Sequence, residues 1–189
     1  GGESVLISQG VCDQLDHASP NSCFGGKLGI DATQDFCKFS PAVLSDDELL
    51  AKFQSLAPNV KELRQFKTRS KTPICVVKFE KDRPVKELFA KLLAFNEFFK
   101  LLVVVDMQNY LENPYMLLWR VTNNIDAMRD IYADGEHFCV DATSKDELEG
   151  YTRGWPIQTD CNREVVATLV KRGVVKDEPE LFSKFEIFG

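Results

Sequence analysis

The fold of this chain is decided by residues 74–106, which read ICVVKFEKDRPVKELFAKLLAFNEFFKLLVVVD. Two short apolar runs, 74–79 and 101–105, enclose a stretch in which apolar residues recur with helical spacing. These apolar residues are Val85, Leu88, Phe89, Leu92 and Leu93. An unbroken run such as 101–105 is typical of a strand that is buried on both faces in a parallel sheet. The segment therefore predicts a strand, a helix and a second strand.

Similar patterns continue on both sides of this segment. Residues 45–48 (Ser-Asp-Asp-Glu) have the form of a capping box at the start of a helix. Asn113-Pro114 predicts the start of another helix, 138–140 a short strand, and 162–172 a last helix. Strands that alternate with helices favour an α/β fold with three layers. We predict a mainly parallel open sheet with helices on both faces.

The first 40 residues lack this regularity. Residues 5–8 resemble a short strand, but 9–41 are rich in Gly, Ser, Asp and Asn and show no clear periodicity. We therefore predict an irregular N-terminal arm over 1–40, followed by an α/β domain over 41–189. Because the arm would pack on the sheet of a preceding domain, we expect it to be the most mobile part of this chain.

Charge is distributed unevenly along the 189 residues. The chain has 23 basic and 29 acidic residues, for a net charge of −6, and residues 1–50 alone carry −6. Residues 61–91 hold ten Lys and Arg against four acids, which is either a surface that attracts phosphate or a solvated face. Because the chain is acidic and has no nucleic-acid-binding motif, we expect no nucleic-acid partner. No apolar run approaches the roughly 20 residues of a membrane helix.

The six cysteines point to a reducing compartment. They contain no CxxC pair, and their irregular spacing matches no zinc site. A domain of this size does not need disulfides to fold, so we expect reduced thiols and a cytoplasmic location.

Two segments carry candidate ligand-binding residues. Gly25-Gly26-Lys27 would allow backbone amides and one ammonium to approach a phosphate, although the spacing differs from a Walker A loop. Asp106 follows an apolar strand, where it either faces a ligand at the sheet edge or caps the next turn.

No complete catalytic set is visible in the sequence. We interpret His17 and His137 as surface loop residues, because neither has a second histidine to complete a metal site. Arg120, Arg129 and Asp130 belong to a polar cluster that either binds a partner or forms a salt-bridged turn. Trp155 is expected to anchor the last segment by aromatic packing.

Four motifs occur in an order that resembles a known family. They are Leu101–Asp106, Tyr115–Asp130, Val140–Lys145 and Thr152–Pro156. Together they resemble the C-terminal domain of UbiD-type decarboxylases, the 3-polyprenyl-4-hydroxybenzoate carboxy-lyases and their relatives. The resemblance covers about residues 74–175.

The N-terminal arm resembles the same family. Gly29-Ile-Asp-Ala-Thr33 recurs as Cys139-Val-Asp-Ala-Thr143, so residues 1–40 look like the end of one module and 41–189 like a second copy. The second copy departs from the family pattern, because Glu136-His137-Phe138 replaces the glycine- and lysine-containing residues that usually come before the Asp-Ala-Thr turn.

The resemblance implies a non-oxidative, reversible decarboxylation of an aromatic acid in quinone biosynthesis. The family uses prenylated FMN with a divalent metal and potassium, and its catalytic residues belong to an earlier domain of the same chain. This chain by itself is then non-catalytic and binds no cofactor alone. Its role would be that of a lid or an oligomer interface, in a homo-oligomer without a membrane span.

The resemblance also places three residues near an active-site edge, Lys27, Asp31 and Thr33. Two other functions stay open from the sequence. The chain would alternatively be a stand-alone assembly module or an α/β module that binds phosphate or nucleotide.

Overall fold

The computed structural model describes residues 5–31, 33, 39–157, 159 and 162–185. The strands are β1 (Val5–Val11), β2 (Phe24–Ile30), β3 (Val60–Phe66), β4 (Ile74–Phe79), β5 (Leu101–Val105), β6 (Ile131–Asp134) and β7 (His137–Asp141). The α-helices are α1 (Asp46–Leu56), α2 (Val85–Leu92), α3 (Pro114–Asn123), α4 (Ala127–Asp130), α5 (Arg163–Lys171) and α6 (Pro179–Lys184). Short 3₁₀ helices cover Leu93–Phe98 and Glu147–Glu149.

The central sheet has five strands in the order β3-β4-β5-β7-β6. The three inner strands β4, β5 and β7 are parallel, whereas β3 and β6 pair antiparallel at the two edges. The α/β class is therefore confirmed, but the sheet is more mixed than the sequence predicted. The sequence pattern does not predict the edge strands β3 and β6, because charged and polar residues interrupt them, as is common at a solvent-exposed edge.

Helices cover both faces of the sheet, which confirms the three layers. On one face, α1 and α2 pack on alternate residues of β4 and β5, namely Cys75, Val77, Leu102 and Val104. On the other face, Leu117 of α3 packs with the intervening residues Val76, Val103 and Val105. Because successive strand residues point to opposite faces, a strand that is covered on both sides must be apolar throughout.

Side-chain caps start the helices where the sequence places them. The amide of Glu48 donates to Ser45 Oγ at 3.3 Å, and the amide of Ser45 donates to the Glu48 carboxylate at 2.9 Å. The amide of Met116 donates to Asn113 Oδ1 at 3.2 Å at the start of α3. Both predicted helix starts are confirmed.

The N-terminal arm is a β-hairpin over 5–30 and not irregular. β1 pairs antiparallel with β2, with Val5 opposite Ile30 and Val11 opposite Phe24. Glycines in both strands hide the strand pattern in the sequence, because they contribute no apolar side chain and have low strand propensity. The hairpin also has a packing partner that we did not expect, since it contacts α4 of the following domain.

The C-terminal helix α5 packs less closely than α1, α2 and α3 do. α5 lies at the predicted position, yet none of its residues is buried. After α6, the ring of Phe185 contacts Tyr115 of α3 at a centroid distance of 5.6 Å. Among the described helices, none is long and apolar enough to cross a membrane.

Candidate functional site

The carboxyl edge of the parallel strands is closed by the chain itself. Asp106, which follows β5, accepts hydrogen bonds from the amide and hydroxyl of Ser144 at 2.9 and 2.7 Å. Lys81, which follows β4, donates to the Ser144 carbonyl at 2.8 Å and pairs with Glu149 at 2.6 Å. Open α/β sheets bind ligands at this edge. Here the loop after β7 occupies it, so Asp106 caps that loop.

Arg120 of α3 makes further polar contacts near this edge of the sheet. Its side chain is buried and its Nε donates to Asn109 Oδ1 at 3.1 Å. The side-chain amide of Asn109 in turn donates to the Asp106 carbonyl at 3.0 Å. Burial lowers the pKa of Arg120, and the charge of Asp106 opposes that shift. These contacts hold α3 against the end of β5.

A buried cluster of four charges lies beside β7. Arg129 donates through two nitrogens to the two oxygens of Asp130, both at 2.7 Å. Lys145 Nζ lies 2.8 Å from Asp141 Oδ1 and 3.7 Å from Asp130 Oδ1, and all three of these side chains are 0% exposed. Burial tends to lower the pKa of Arg129, but the hydrogen bond to Asp130 and the charges of Asp130, Asp126 and Asp141 together outweigh it and raise that pKa. Arg129 and Asp130 thus form the salt bridge that one of the two interpretations expected, whereas Arg120 bonds to Asn109 and lies outside it.

Lys145 is a structural ammonium within this cluster. Besides Asp141 Oδ1, it donates to the carbonyls of Asp141 and Thr143 at 2.8 and 2.9 Å. An ammonium has three donors. All three are therefore used within the loop after β7, which leaves none for a ligand.

The same hydrogen bonds from Thr to Asp occur in both copies of the repeated Asp-Ala-Thr segment. In the first copy the amide and hydroxyl of Thr33 donate to Asp31 Oδ1 at 2.9 and 2.6 Å. In the second copy Thr143 donates to Asp141 Oδ1 at 3.0 and 2.6 Å. The hydroxyl and amide of Thr33 lower the pKa of Asp31. The copies differ in burial, because Asp31 and Thr33 are exposed whereas Asp141 and Thr143 are fully buried.

The predicted edge residues are spread along β2 and the residues just after it, with Lys27 opposite Ser8 in the middle of the strand. Lys27 is exposed on β2, and Asp31 and Thr33 are exposed just after this strand. The preceding glycines form strand and not a loop, and the amide of Gly26 donates to Asp126 Oδ2 at 2.6 Å. A Cβ atom on Gly26 would lie 2.6 Å from the amide nitrogen of Met128. These glycines thus allow β2 to approach the start of α4.

The junction between the hairpin and the domain contains His17, which the sequence misplaced on the surface. His17 is half-buried, lies 3.3 Å from Asn124 Oδ1 and contacts the Trp155 ring edge-on at 5.0 Å. Tyr151 Oη donates to the His17 carbonyl at 2.6 Å and its ring contacts Trp155 at 5.2 Å. The packing role of Trp155 is confirmed. This junction forms between residues that are far apart in sequence, so no local sequence pattern predicts it.

His137 is not a surface loop residue either. It begins β7, and its ring lies between the rings of Phe39 and Phe99 at 5.9 and 6.1 Å. Burial and the nearby Lys100 ammonium lower the pKa of His137. In the described part of the chain, no three His, Cys, Asp or Glu side chains converge as a metal site would require.

Sequence comparison relates this chain to one family. The family model described as 3-octaprenyl-4-hydroxybenzoate carboxy-lyase C-terminal domain, named UbiD_C, matches residues 42–154. Two uncharacterized proteins from Helicobacter pylori strains J99 and 26695 are each 46% identical over 187 residues, which is 98% of this chain. The chain spans about 30% of the length of these relatives.

Solved structures share the fold at low sequence identity. Vanillic acid decarboxylase from Sedimentibacter hydroxybenzoicus in a closed form matches 69% of this chain and 32% of its own, with a TM-score of 0.54 and 16% identity. An evolved dimeric form of the UbiD-class enzyme HmfF from Pelotomaculum thermopropionicum, in complex with prFMN, matches 65% of this chain and 27% of its own, with a TM-score of 0.51 and 19% identity. The order of motifs, the three-layer sheet and the family match agree, and the chain belongs to the UbiD carboxy-lyase family as its C-terminal domain.

Proposed function

We propose that this chain supports and closes an active site that is built by another part of a longer carboxy-lyase. The reaction would be the non-oxidative decarboxylation of a hydroxybenzoate- or naphthoate-like acid in quinone biosynthesis. The observation that carries the proposal is the closed carboxyl edge of the sheet, where Ser144 bonds to Asp106 and Lys81 pairs with Glu149. A domain whose usual ligand edge is filled by its own loop fits a lid or a wall better than a separate catalytic unit.

The described residues do not fit a flavin site by themselves. A flavin phosphate requires several donors that converge, but the Gly26 amide is bonded to Asp126 and the Thr33 donors are bonded to Asp31. The Lys27 ammonium is exposed on β2. We therefore propose prenylated FMN, a divalent metal and potassium for the longer protein, and we derive no step through them. Lys27, Asp31 and Thr33 remain predicted edge residues.

We also propose that the protein is cytoplasmic and forms a homo-oligomer. The outer face of α3 supports the homo-oligomer, because Leu118 and Trp119 are 65 and 48% exposed and no exposed charge lies on this helix. Exposed aromatic residues without charge are typical of protein interfaces.

Deletion in the longer protein tests the lid role. The longer protein is co-expressed with a flavin prenyltransferase, with and without the segment that matches residues 41–189. We expect the visible flavin spectrum to persist and decarboxylation to collapse. Retained turnover would contradict the lid role.

Titration of the 189-residue chain with FMN and ATP tests the alternative of a phosphate-binding module. We expect no saturable binding of either ligand. Saturable binding that is lost in Lys27→Ala, but not in Lys86→Ala on α2, would favour the alternative instead.

Light scattering tests the oligomer. Trp119→Glu should lower the average mass at a given concentration, whereas Val174→Glu, which alters a residue 68% exposed outside this face, should not. An unmodified chain that is monomeric at every concentration would contradict this part of the proposal.

A further inference from the structure

Cys12 and Cys23 face each other where the β1–β2 hairpin opens into its loop. The amide of Cys12 donates to the Cys23 carbonyl at 3.1 Å, directly after the last paired residues Val11 and Phe24. In a regular antiparallel pair, residues opposed across such a bond have Cα atoms roughly 5.5 Å apart. That separation lies inside the range of roughly 4.4 to 6.8 Å found in disulfides. We propose that Cys12 and Cys23 form a reversible disulfide.

The backbone conformation at Cys23 supports this proposal independently. Its φ angle is +61°, and the amide of Phe24 donates to the Asn21 carbonyl at 3.2 Å, so Cys23 lies at the third position of a tight turn. Glycine or asparagine normally occupies a turn position with positive φ. The exposed Cys23 makes no core contact that would offset the free-energy cost of this conformation. Unusual backbone at a reactive side chain is a pointer to function.

The surroundings of the two thiols also suit exchange. Cys23 is exposed, and Cys12 is half-buried with its thiol donating to Ser19 Oγ at 3.6 Å. By contrast, Cys75 and Cys139 are 0% exposed in the core, and burial raises the pKa of Cys75 to about 12. Accessible thiols exchange and buried thiols do not. The Cys12 sulfur now contacts Ser19 and the Cys23 sulfur contacts Ser22, so both side chains must rotate about χ1 before a disulfide can form.

The reaction balances with a small disulfide such as oxidised glutathione as the oxidant. The Cys23 thiolate attacks one sulfur of oxidised glutathione, which forms a mixed disulfide and releases one glutathione thiolate. The Cys12 thiolate then attacks the Cys23 sulfur and displaces the second glutathione thiolate. The two cysteines are oxidised, oxidised glutathione is reduced, and the two thiol protons end on the two released glutathiones.

Closure of this loop would reinforce the junction with the domain. The loop between the cysteines supplies the carbonyls of His17 and Ser19, which accept from Tyr151 Oη at 2.6 Å and Arg153 Nη1 at 3.0 Å. A covalent bond at the base of the loop restricts both carbonyls. The oxidised chain should therefore unfold at a higher temperature than the reduced chain.

Peptide mapping of the 189-residue chain tests the proposal. The chain is incubated with oxidised glutathione, digested without reductant and analysed by mass spectrometry. We expect a linked Cys12–Cys23 peptide that dithiothreitol separates, whereas Cys75 and Cys139 stay free. Cys12→Ser should retain glutathione on Cys23, because no thiol is left to displace it.

Three outcomes would overturn the proposal. They are glutathione that remains on Cys23 of the unmodified chain, a Cys12 or Cys23 disulfide only to Cys37 or Cys161, and complete absence of modification. A linked peptide without any rise in unfolding temperature would remove the role at the junction.

Discussion

At the residue scale, single atoms decide how the hairpin meets the domain. β2 approaches α4 so closely that the Gly26 amide is 2.6 Å from Asp126 Oδ2. There is no room for a side chain at Gly26, since an added Cβ would lie within 2.8 Å of backbone nitrogens of both Ala127 and Met128. The same strand offers a contrast at Gly29, where the nearest atom to an added Cβ would be 3.8 Å away.

This contrast predicts the effect of alanine at the two positions. Gly26→Ala should lower the free energy of unfolding by about 1–3 kcal/mol, because the backbones must separate to admit the methyl group. Gly29→Ala should change it by about 0.5 kcal/mol or less. Urea unfolding of both variants checks the prediction, and equal effects would contradict it.

The buried charge cluster gives a second prediction at this scale. Asp130→Asn removes the charge that two nitrogens of Arg129 face, and should cost about 3–5 kcal/mol because a buried cation is left uncompensated. The exposed pair of Lys61 and Glu80 is the control, and Glu80→Gln should cost no more than about 1 kcal/mol. Thermal and urea unfolding measure both values; an Asp130→Asn variant as stable as Glu80→Gln would show that the cluster contributes nothing.

At the element scale, α1 depends on a cap that local sequence already encodes. Ser45→Ala removes the acceptor of the Glu48 amide and should cost about 1 kcal/mol. Ser55→Ala is the matched control, because Ser55 lies at the other end of α1 and its hydroxyl donates to the Lys52 carbonyl one turn earlier. The two unfolding midpoints in urea measure the difference. Identical midpoints would mean that tertiary packing alone holds the start of α1.

At the scale of the whole molecule, Asp126 joins the hairpin to the domain. One of its oxygens accepts from Gly26, and the other accepts from Met128 at 3.0 Å. Asp126→Ala should accelerate hydrogen exchange at the Gly26 amide by at least about tenfold, because charge-assisted bonds contribute roughly 1.5–3 kcal/mol. Asp134→Ala, on the exposed end of β6, should leave that rate unchanged, and unchanged exchange in both variants would contradict the role of Asp126.

The stability of the whole chain should also depend on His137 in mildly acidic solution. Burial lowers the pKa of His137 below its ordinary 6.5, so the folded chain keeps this ring neutral while the unfolded chain takes up a proton. Stability is therefore lost as the pH falls from about 6.5 toward the folded pKa. His137→Phe should make stability depend less on pH in this range. Urea midpoints between pH 7 and pH 5 give the comparison, and identical slopes would contradict the assignment.

The local sequence determined the central elements of this protein. The unbroken valines of β5, the spacing of apolar residues in α2 and the cap at Ser45 each specify their structure without distant contacts, because burial on two faces, helical periodicity and capping are short-range patterns. The order of motifs likewise determined the family.

Only the tertiary structure decided the hairpin, the edge strands and the site. Gly26 looked like part of a phosphate loop until Asp126, 100 residues later, was seen to accept its amide hydrogen bond. The sequence left Asp106 open between a ligand group and a cap until Ser144 was found to donate to it, and it placed His17 on the surface, where the structure packs Trp155 against its ring. Each of these roles depends on a partner far away in sequence, and the position of that partner follows from how the whole chain packs.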